Sequence, residues 1–206
     1  MFADRVDAGR RLAERLKAEG VRPDLVLAIP RGGVVIGAQV ARALGVPLDV
    51  IVPRKIGAPH NPEYAVGAVT EDGTFIYDEQ ALHALGLEPA DLSGEVERQV
   101  REIARRTRLY RRDAPYPSLT GKSIVLTDDG IATGLTTLAA LRSLKKAKPR
   151  EVILAVPVAS AEALAGLRQE VDRVVCLLVP ELFFAVGQFY REFAQTTDEE
   201  VIALLS

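Results

Sequence analysis

Short apolar runs alternate with amphipathic stretches along most of this chain. Residues 25–29, 48–52, 124–126, 152–156 and 171–179 are nearly continuous runs of Val, Leu, Ile and Ala, the pattern of strands buried on both faces. Residues 3–19 place Val6, Leu12, Ala13 and Leu16 on one face and stop at Gly20, which predicts an amphipathic helix whose role is packing. Residues 34–44 have helical periodicity and close at Gly45. Leu138, Leu141 and Leu144 recur at three-residue steps, so a further helix starts near Leu135. Ser160 caps a helix carrying Leu164 and Leu167, and Thr197 or Asp198 caps a last short one over 198–205. Strands alternating with helices imply a parallel sheet with right-handed crossovers.

The pattern loosens between residues 54 and 73. Gly57, Pro59, Asn61, Pro62 and Gly67 crowd together, and only residues 65–69 look strand-like, with 74–77 as a hairpin partner across 70–73. A long loop is therefore expected, and long loops in compact domains are more often functional than idle. His60 reads either as an acid/base in this loop or as a solvated histidine. Asp78 then caps a short helix containing His83, read as structural. Asp91 or Ser93 opens a longer helix ending near Arg112, with Val96, Val100, Ile103 and Thr107 on one face. Glu97/Arg101 and Glu102/Arg106 have i,i+4 spacing. Its basic second half, residues 105–112, reads as a solvated face or subunit interface before it reads as a phosphate or RNA contact.

Composition narrows the function classes. At 206 residues the chain suits one domain with a full core. A net charge of −2 gives no bulk attraction to nucleic acid or to membranes. Cys176 is the single cysteine and lies inside an apolar run, so no intrachain disulfide forms and burial makes the thiol inert. The first twenty residues are charged throughout, with no apolar core of a secretory signal, and no run reaches membrane-spanning length. An intracellular, cytoplasmic location is the expectation.

The candidate chemistry sits in residues 123–137, SIVLTDDGIATGLTT. An apolar strand leads into the paired acids Asp128 and Asp129, then into a Gly/Thr loop and a helix. Backbone N–H groups and threonine hydroxyls at a helix N-terminus can surround a phosphate, and the carboxylates at the rim can accept hydrogen bonds from vicinal hydroxyls. No lysine follows the second glycine, which excludes a Walker loop. The glycine spacing excludes the dinucleotide fingerprint. An ordinary turn whose acids cap a helix is the plain alternative. A second turn, Pro30-Arg31-Gly32-Gly33, also ends a strand, where open α/β sheets bind ligands. Its glycines allow close backbone approach, and Arg31 offers a fork for phosphate oxygens.

The strand, the paired acids and the Thr133-Gly134-Leu135-Thr136 loop resemble the phosphoribosyl-diphosphate motif of the type I phosphoribosyltransferases, and the motifs span most of the core from Leu25 to Val179. The resemblance implies an α/β, Rossmann-like, open and mainly parallel sheet flanked by helices, with a small hood and a flexible-loop and helical insertion. The whole chain, 1–206, is then one domain, with its core at about 20–180, the insertion at about 54–118 and the hood at about 181–206, to which the N-terminal helix contributes.

It further implies transfer of 5-phosphoribosyl from phosphoribosyl diphosphate to a nucleobase-like acceptor, with Mg²⁺ and release of diphosphate. Gly130, Ile131, Ala132, Thr133, Gly134, Leu135, Thr136 and Thr137 would hold the 5′-phosphate. Asp128 and Asp129 would hold the ribose hydroxyls, favour developing positive charge and meet the metal, partly through water. Arg31, Gly32, Gly33, Arg54 and Lys55 would hold the diphosphate. The PRGG turn is expected to carry a strained peptide around Arg31-Gly32, and residues 54–73 to act as a flexible lid. Glu63 resembles the acidic residue that some adenine-type members present to the base, while Phe183 and Phe184 follow the strand whose successor often recognises the acceptor. One departure bears on the acceptor: members acting on hypoxanthine or guanine carry an aspartate where this chain has Ala132. Adenine-like, pyrimidine and non-nucleobase acceptors stay open. A homodimer is implied as well. Two other classes compete: a regulatory protein that senses phosphoribosyl diphosphate without turnover and binds RNA through residues 105–112, and a phosphohydrolase with metal on Asp128 and Asp129. The second lacks further metal-ligand clusters.

Overall fold

The computed structural model describes residues 1–206. Along the chain the elements are α1 (Arg5–Ala18), β1 (Leu25–Ala28), α2 (Gly32–Leu44), β2 (Leu48–Val50), β3 (Arg54–Ala58), β4 (Asn61–Val69), β5 (Phe75–Tyr77), α3 (Glu79–Leu85) and α4 (Ser93–Arg111). There follow β6 (Ser123–Thr127), α5 (Leu135–Lys146), β7 (Glu151–Val158), α6 (Ala161–Leu167), β8 (Arg173–Leu178) and α7 (Asp198–Leu205). A five-stranded sheet in the order β2-β1-β6-β7-β8 forms the centre, and every pairing in it is parallel.

The apolar runs are continuous because successive side chains fill opposite faces of this sheet. Leu25, Leu27, Ile124, Leu126, Val152 and Leu154 pack under α5 and α6. Val26, Val125, Ile153 and Ala155, between them in sequence, pack under α1 and α2. Gly45 ends α2 in the left-handed conformation at φ 69°, and Asp78, Ser160 and Thr197 each cap a helix through the side chain. No helix is long and apolar enough to cross a membrane.

Residues 54–73 differ from expectation. They form an antiparallel ribbon of β3 and β4, turning at Pro59-His60, and β5 extends it to a three-stranded sheet. The Gly and Pro residues that suggested a loop occupy the ribbon's irregularities. The register shifts on both sides of Gly57, where an added Cβ would lie 2.2 Å from the Pro62 carbonyl oxygen. Glycine there lets the two backbones approach at a bulge. The α4 helix is entered from a 3₁₀ turn at Pro89–Leu92, and neither Asp91 nor Ser93 caps it; the Asp91 carboxylate turns back to accept the Glu88 N–H at 2.8 Å. Ribbon, α3, α4 and α7 share a third apolar core with the end of β2 and with Val34 of α2. This core seats the insertion over the carboxyl edge of the parallel sheet.

Candidate functional site

β1 and β6 are neighbours in register, with Ala28 opposite Thr127, so the turns that follow them emerge side by side. They touch through glycine. A Cβ on Gly32 would lie 2.0 Å from Asp129 Oδ2, and one on Gly33 would lie 2.9 Å from the Asp128 Cα. No side chain fits between the two loops. The cis peptide of this turn is Pro30-Arg31, one bond earlier than expected.

The second loop is anchored and yet leaves its donors open. Ile131 is buried in the core; its N–H donates to the Val158 carbonyl, its carbonyl accepts the Ser160 N–H, and Ser160 Oγ donates to the Ala132 carbonyl at 2.7 Å. Gly134 adopts the left-handed conformation at φ 83° and begins α5 with no side-chain cap, as a residue without Cβ does readily. No hydrogen bond inside the protein engages the N–H groups of Ala132 through Thr137, or those of Gly32 and Gly33 at the start of α2. Two helix N-termini with unused donors therefore meet at one place, which favours anions.

A cleft of about 880 Å³ opens over them. Arg31, Gly32, Arg54, Lys55, Asp128, Asp129 and Thr136 line it, bringing both loops and the β3–β4 ribbon together. From α4 and the turn before it come Asp91, Glu95, Arg98, Gln99 and Arg106; only Arg106 lay in a stretch weighed as a phosphate or RNA contact, and the other four were not anticipated as site residues. Residues 95, 98, 99 and 106 recur at helical spacing as one polar stripe bordering Val96 and Ile103, but the partners that give the stripe its role lie far away in sequence. Buried Gln99 connects this wall to the ribbon. Its Oε1 accepts from Arg54 Nε at 2.8 Å and its Nε2 donates to Glu95 at 2.7 Å. Burial and the nearby Arg106 pull the Arg54 pKa down. Arg31 lies 3.9 Å from Asp198 of α7, while Lys55 is exposed and pairs with no carboxylate.

The paired acids are enclosed by protein except toward the cleft. Burial pushes Asp128 well above the usual carboxylate range, and the adjoining Asp129 charge adds to this. Burial raises Asp129 too, against the opposing pull of Arg5. Asp128 Oδ1 accepts the Asp129 N–H at 2.7 Å and Asp129 Oδ2 accepts Arg5 Nε at 2.7 Å, which leaves one oxygen of each acid with no N–H donor in the protein, and the two carboxyls hydrogen-bond to each other when Asp128 is protonated. No group of three His, Cys, Asp or Glu side chains converges to cage a metal. The donor set fits a cation that reaches Asp128 and Asp129 through one oxygen each or through water, with its remaining ligands supplied by a bound substrate.

Other anticipated residues fall outside the cleft. Gly33 lies behind Asp128, Thr137 is buried in α5, and Gly130, Ile131, Ala132, Thr133, Gly134 and Leu135 form the loop beside the lining. Glu63 is exposed on β4 and away from the lining. Phe184 is 83% exposed, and Phe183 packs on Phe189 with ring centroids 5.1 Å apart; neither reaches the cleft. Arg5, assigned to a packing helix, instead contacts Asp129, and no sequence signal could have revealed it across a separation of 124 residues.

Comparison with known proteins finds a family model described as a phosphoribosyl transferase domain, matched by residues 3–193. A Mycobacterium tuberculosis (strain H37Rv) protein, provisionally named a phosphoribosyl transferase, is 43% identical over 205 residues, which cover 100% of this chain and 46% of that protein. The chain thus spans about half the length of the curated relatives it matches. The crystal structure of TT1426 from Thermus thermophilus is 45% identical, with a TM-score of 0.82 over 100% of this chain and 97% of that one. A Neisseria gonorrhoeae protein solved with bound ppGpp is 16% identical at a TM-score of 0.55, covering 100% and 97%, a likeness of fold alone.

Proposed function

The chain belongs to the phosphoribosyl transferase domain family, and from that premise we propose that it transfers 5-phosphoribosyl from phosphoribosyl diphosphate to a nucleobase-like acceptor, releasing diphosphate. The observation that carries this reading is the set of unengaged N–H groups from Ala132 to Thr137, in the loop that borders the cleft lined by Thr136 and two enclosed carboxylates. That combination suits a phosphate joined to a diol. In this reading the amides and Thr136 bind the 5′-phosphate, and the free oxygens of Asp128 and Asp129 accept from the ribose hydroxyls. Arg31 from the neighbouring turn, with Arg54 and Lys55 from the ribbon, draws in the diphosphate.

The transition state of such a displacement resembles an oxocarbenium ion. The protein's share of catalysis is then orientation, charge stabilisation and exclusion of water. Asp128 and Asp129 place negative charge beside the ribose where positive charge develops. Mg²⁺, carried with the donor, would neutralise the leaving diphosphate. The α4 wall and the ribbon flank the cleft, and in this reading they give the insertion a part in keeping water out. Homodimer assembly and a cytoplasmic location belong to the same proposal.

The test is diphosphate release from phosphoribosyl diphosphate and Mg²⁺ across a panel of purine and pyrimidine bases, with donor binding followed by calorimetry. Release with one base supports the transferase and names the acceptor. Donor binding without release across the panel favours a sensor. Absence of donor binding overturns the reading.

A further inference from the structure

Arg5 is the first residue of α1, and three parts of the chain converge on its guanidinium. Nε donates to Asp129 Oδ2 at 2.7 Å, Nη1 donates to the Ala194 carbonyl at 2.6 Å, and the group lies 3.8 Å above the centre of the Phe193 ring. Both partners of the ion pair are largely withdrawn from solvent, with side chains 12% and 15% exposed. Other ion pairs of α1, such as Arg11 with Asp7, are exposed and of the kind that contributes little. A buried pair roughly breaks even in stability, because desolvation cancels most of its attraction. Stability alone gives no reason to bury Arg5.

Geometry supplies one. The Asp129 main chain is held from the same side, where the Tyr190 hydroxyl donates to its carbonyl at 2.5 Å. Gly32 closes the other side, since a Cβ there would come within 2.6 Å of Arg5 Nε. Asp129 is thereby fixed at its backbone and at Oδ2, while no protein N–H engages Oδ1. We propose that Arg5 is a positioning residue for the sugar: it locks the Asp129 carboxylate by one oxygen so that the other meets a ribose hydroxyl. The inference rests on the phosphoribosyl-transfer reading and adds to it a residue from the N-terminal helix, supported by Phe193 and Ala194 near the other end of the chain. An arginine suits the task because two nitrogens of its rigid planar fork engage the carboxylate and the Ala194 carbonyl, a geometry that the single nitrogen of a lysine does not reproduce.

The experiment is calorimetric titration of the full chain with ribose 5-phosphate and, separately, with diphosphate, both in the presence of Mg²⁺. In Arg5→Met, ribose 5-phosphate affinity falls by about tenfold or more, while diphosphate affinity stays at the wild-type value. Arg5→Lys recovers part of the loss by restoring the charge. Equal loss of both ligands means a general structural role and overturns the proposal. An unchanged or tighter affinity for ribose 5-phosphate overturns it as well. Should Arg5→Met fail to fold, Phe193→Leu keeps Arg5 and removes the ring beneath it; ribose 5-phosphate then weakens by about threefold, and no change there counts against the proposal. Wild-type protein that binds neither ligand sinks the functional reading itself, whereas wild-type binding of both with an unaffected Arg5→Met sinks Arg5 alone.

Discussion

At Asp128 the demands of the site oppose those of the fold. Its pKa is raised well above the ordinary 3.8, first by burial and then by the neighbouring Asp129 charge. A carboxyl with a raised folded-state pKa contributes its stability below the unfolded pKa and loses it as pH rises through the folded one. The protein therefore gives up stability as pH rises above 3.8, because the unfolded chain ionises this group before the folded one does. Asp128→Asn removes that ionisation. It should raise neutral-pH stability by on the order of 1 kcal/mol, with a smaller gain in acid, while turnover falls by on the order of a hundredfold or more. Urea unfolding at two pH values together with diphosphate release checks both halves. A variant that loses stability at neutral pH would show that the carboxylate is satisfied in the fold and not held for a ligand.

At the scale of elements, legibility followed burial. The strands of the parallel sheet are apolar at every position because both faces are covered, and a continuous run is a plain signal. Loops that close on themselves were equally plain, since Asp128, Asp129 and Gly134 act within a few residues of one another. The β3–β4 ribbon was hidden because Gly57, Pro59 and Pro62 mark a bulge and a turn with the same residues that mark a loop. Arg5 and Gln99 were hidden for another reason: each acquires its role from a partner distant in sequence, Asp129 and Arg54. The ribbon's bulge makes its own prediction. Gly57→Ala would push a Cβ onto the Pro62 backbone at 2.2 Å, and both residues line the cleft. Lys55 and Arg54 would be displaced with them, so turnover should drop by on the order of tenfold to a hundredfold. The parallel sheet should stay intact, visible as an unchanged far-ultraviolet circular dichroism spectrum. Undiminished turnover would mean that the ribbon serves packing and not the reaction.

For the molecule as a whole, three distant parts of the chain are fastened together beside the cleft. Tyr110 of α4, 2% exposed, donates its hydroxyl to Asp198 of α7 at 2.6 Å, and Asp198 lies 3.9 Å from Arg31 at the start of α2. Insertion, C-terminal helix and central sheet meet in this brace, and Val201 of α7 is fully buried below it. Burial and the Asp198 carboxylate push the Tyr110 pKa from 10.0 up to about 12. A raised folded-state pKa means that the phenol's contribution is complete below pH 10.0 and is lost as pH climbs through about 12. Tyr110→Phe should cost about 1 kcal/mol at neutral pH, the worth of a hydrogen bond to a charged acceptor less the desolvation it required. The gap between wild type and variant should then narrow as pH rises from about 10 toward about 12, although both proteins lose stability there for other reasons. Paired denaturant titrations at neutral and alkaline pH measure that gap directly. A gap that stays constant would mean that the phenol does not ionise against Asp198. A gap that closes would mean that insertion and C-terminal helix are joined by one titratable contact placed next to Arg31, so that loosening either element also loosens a cation of the cleft.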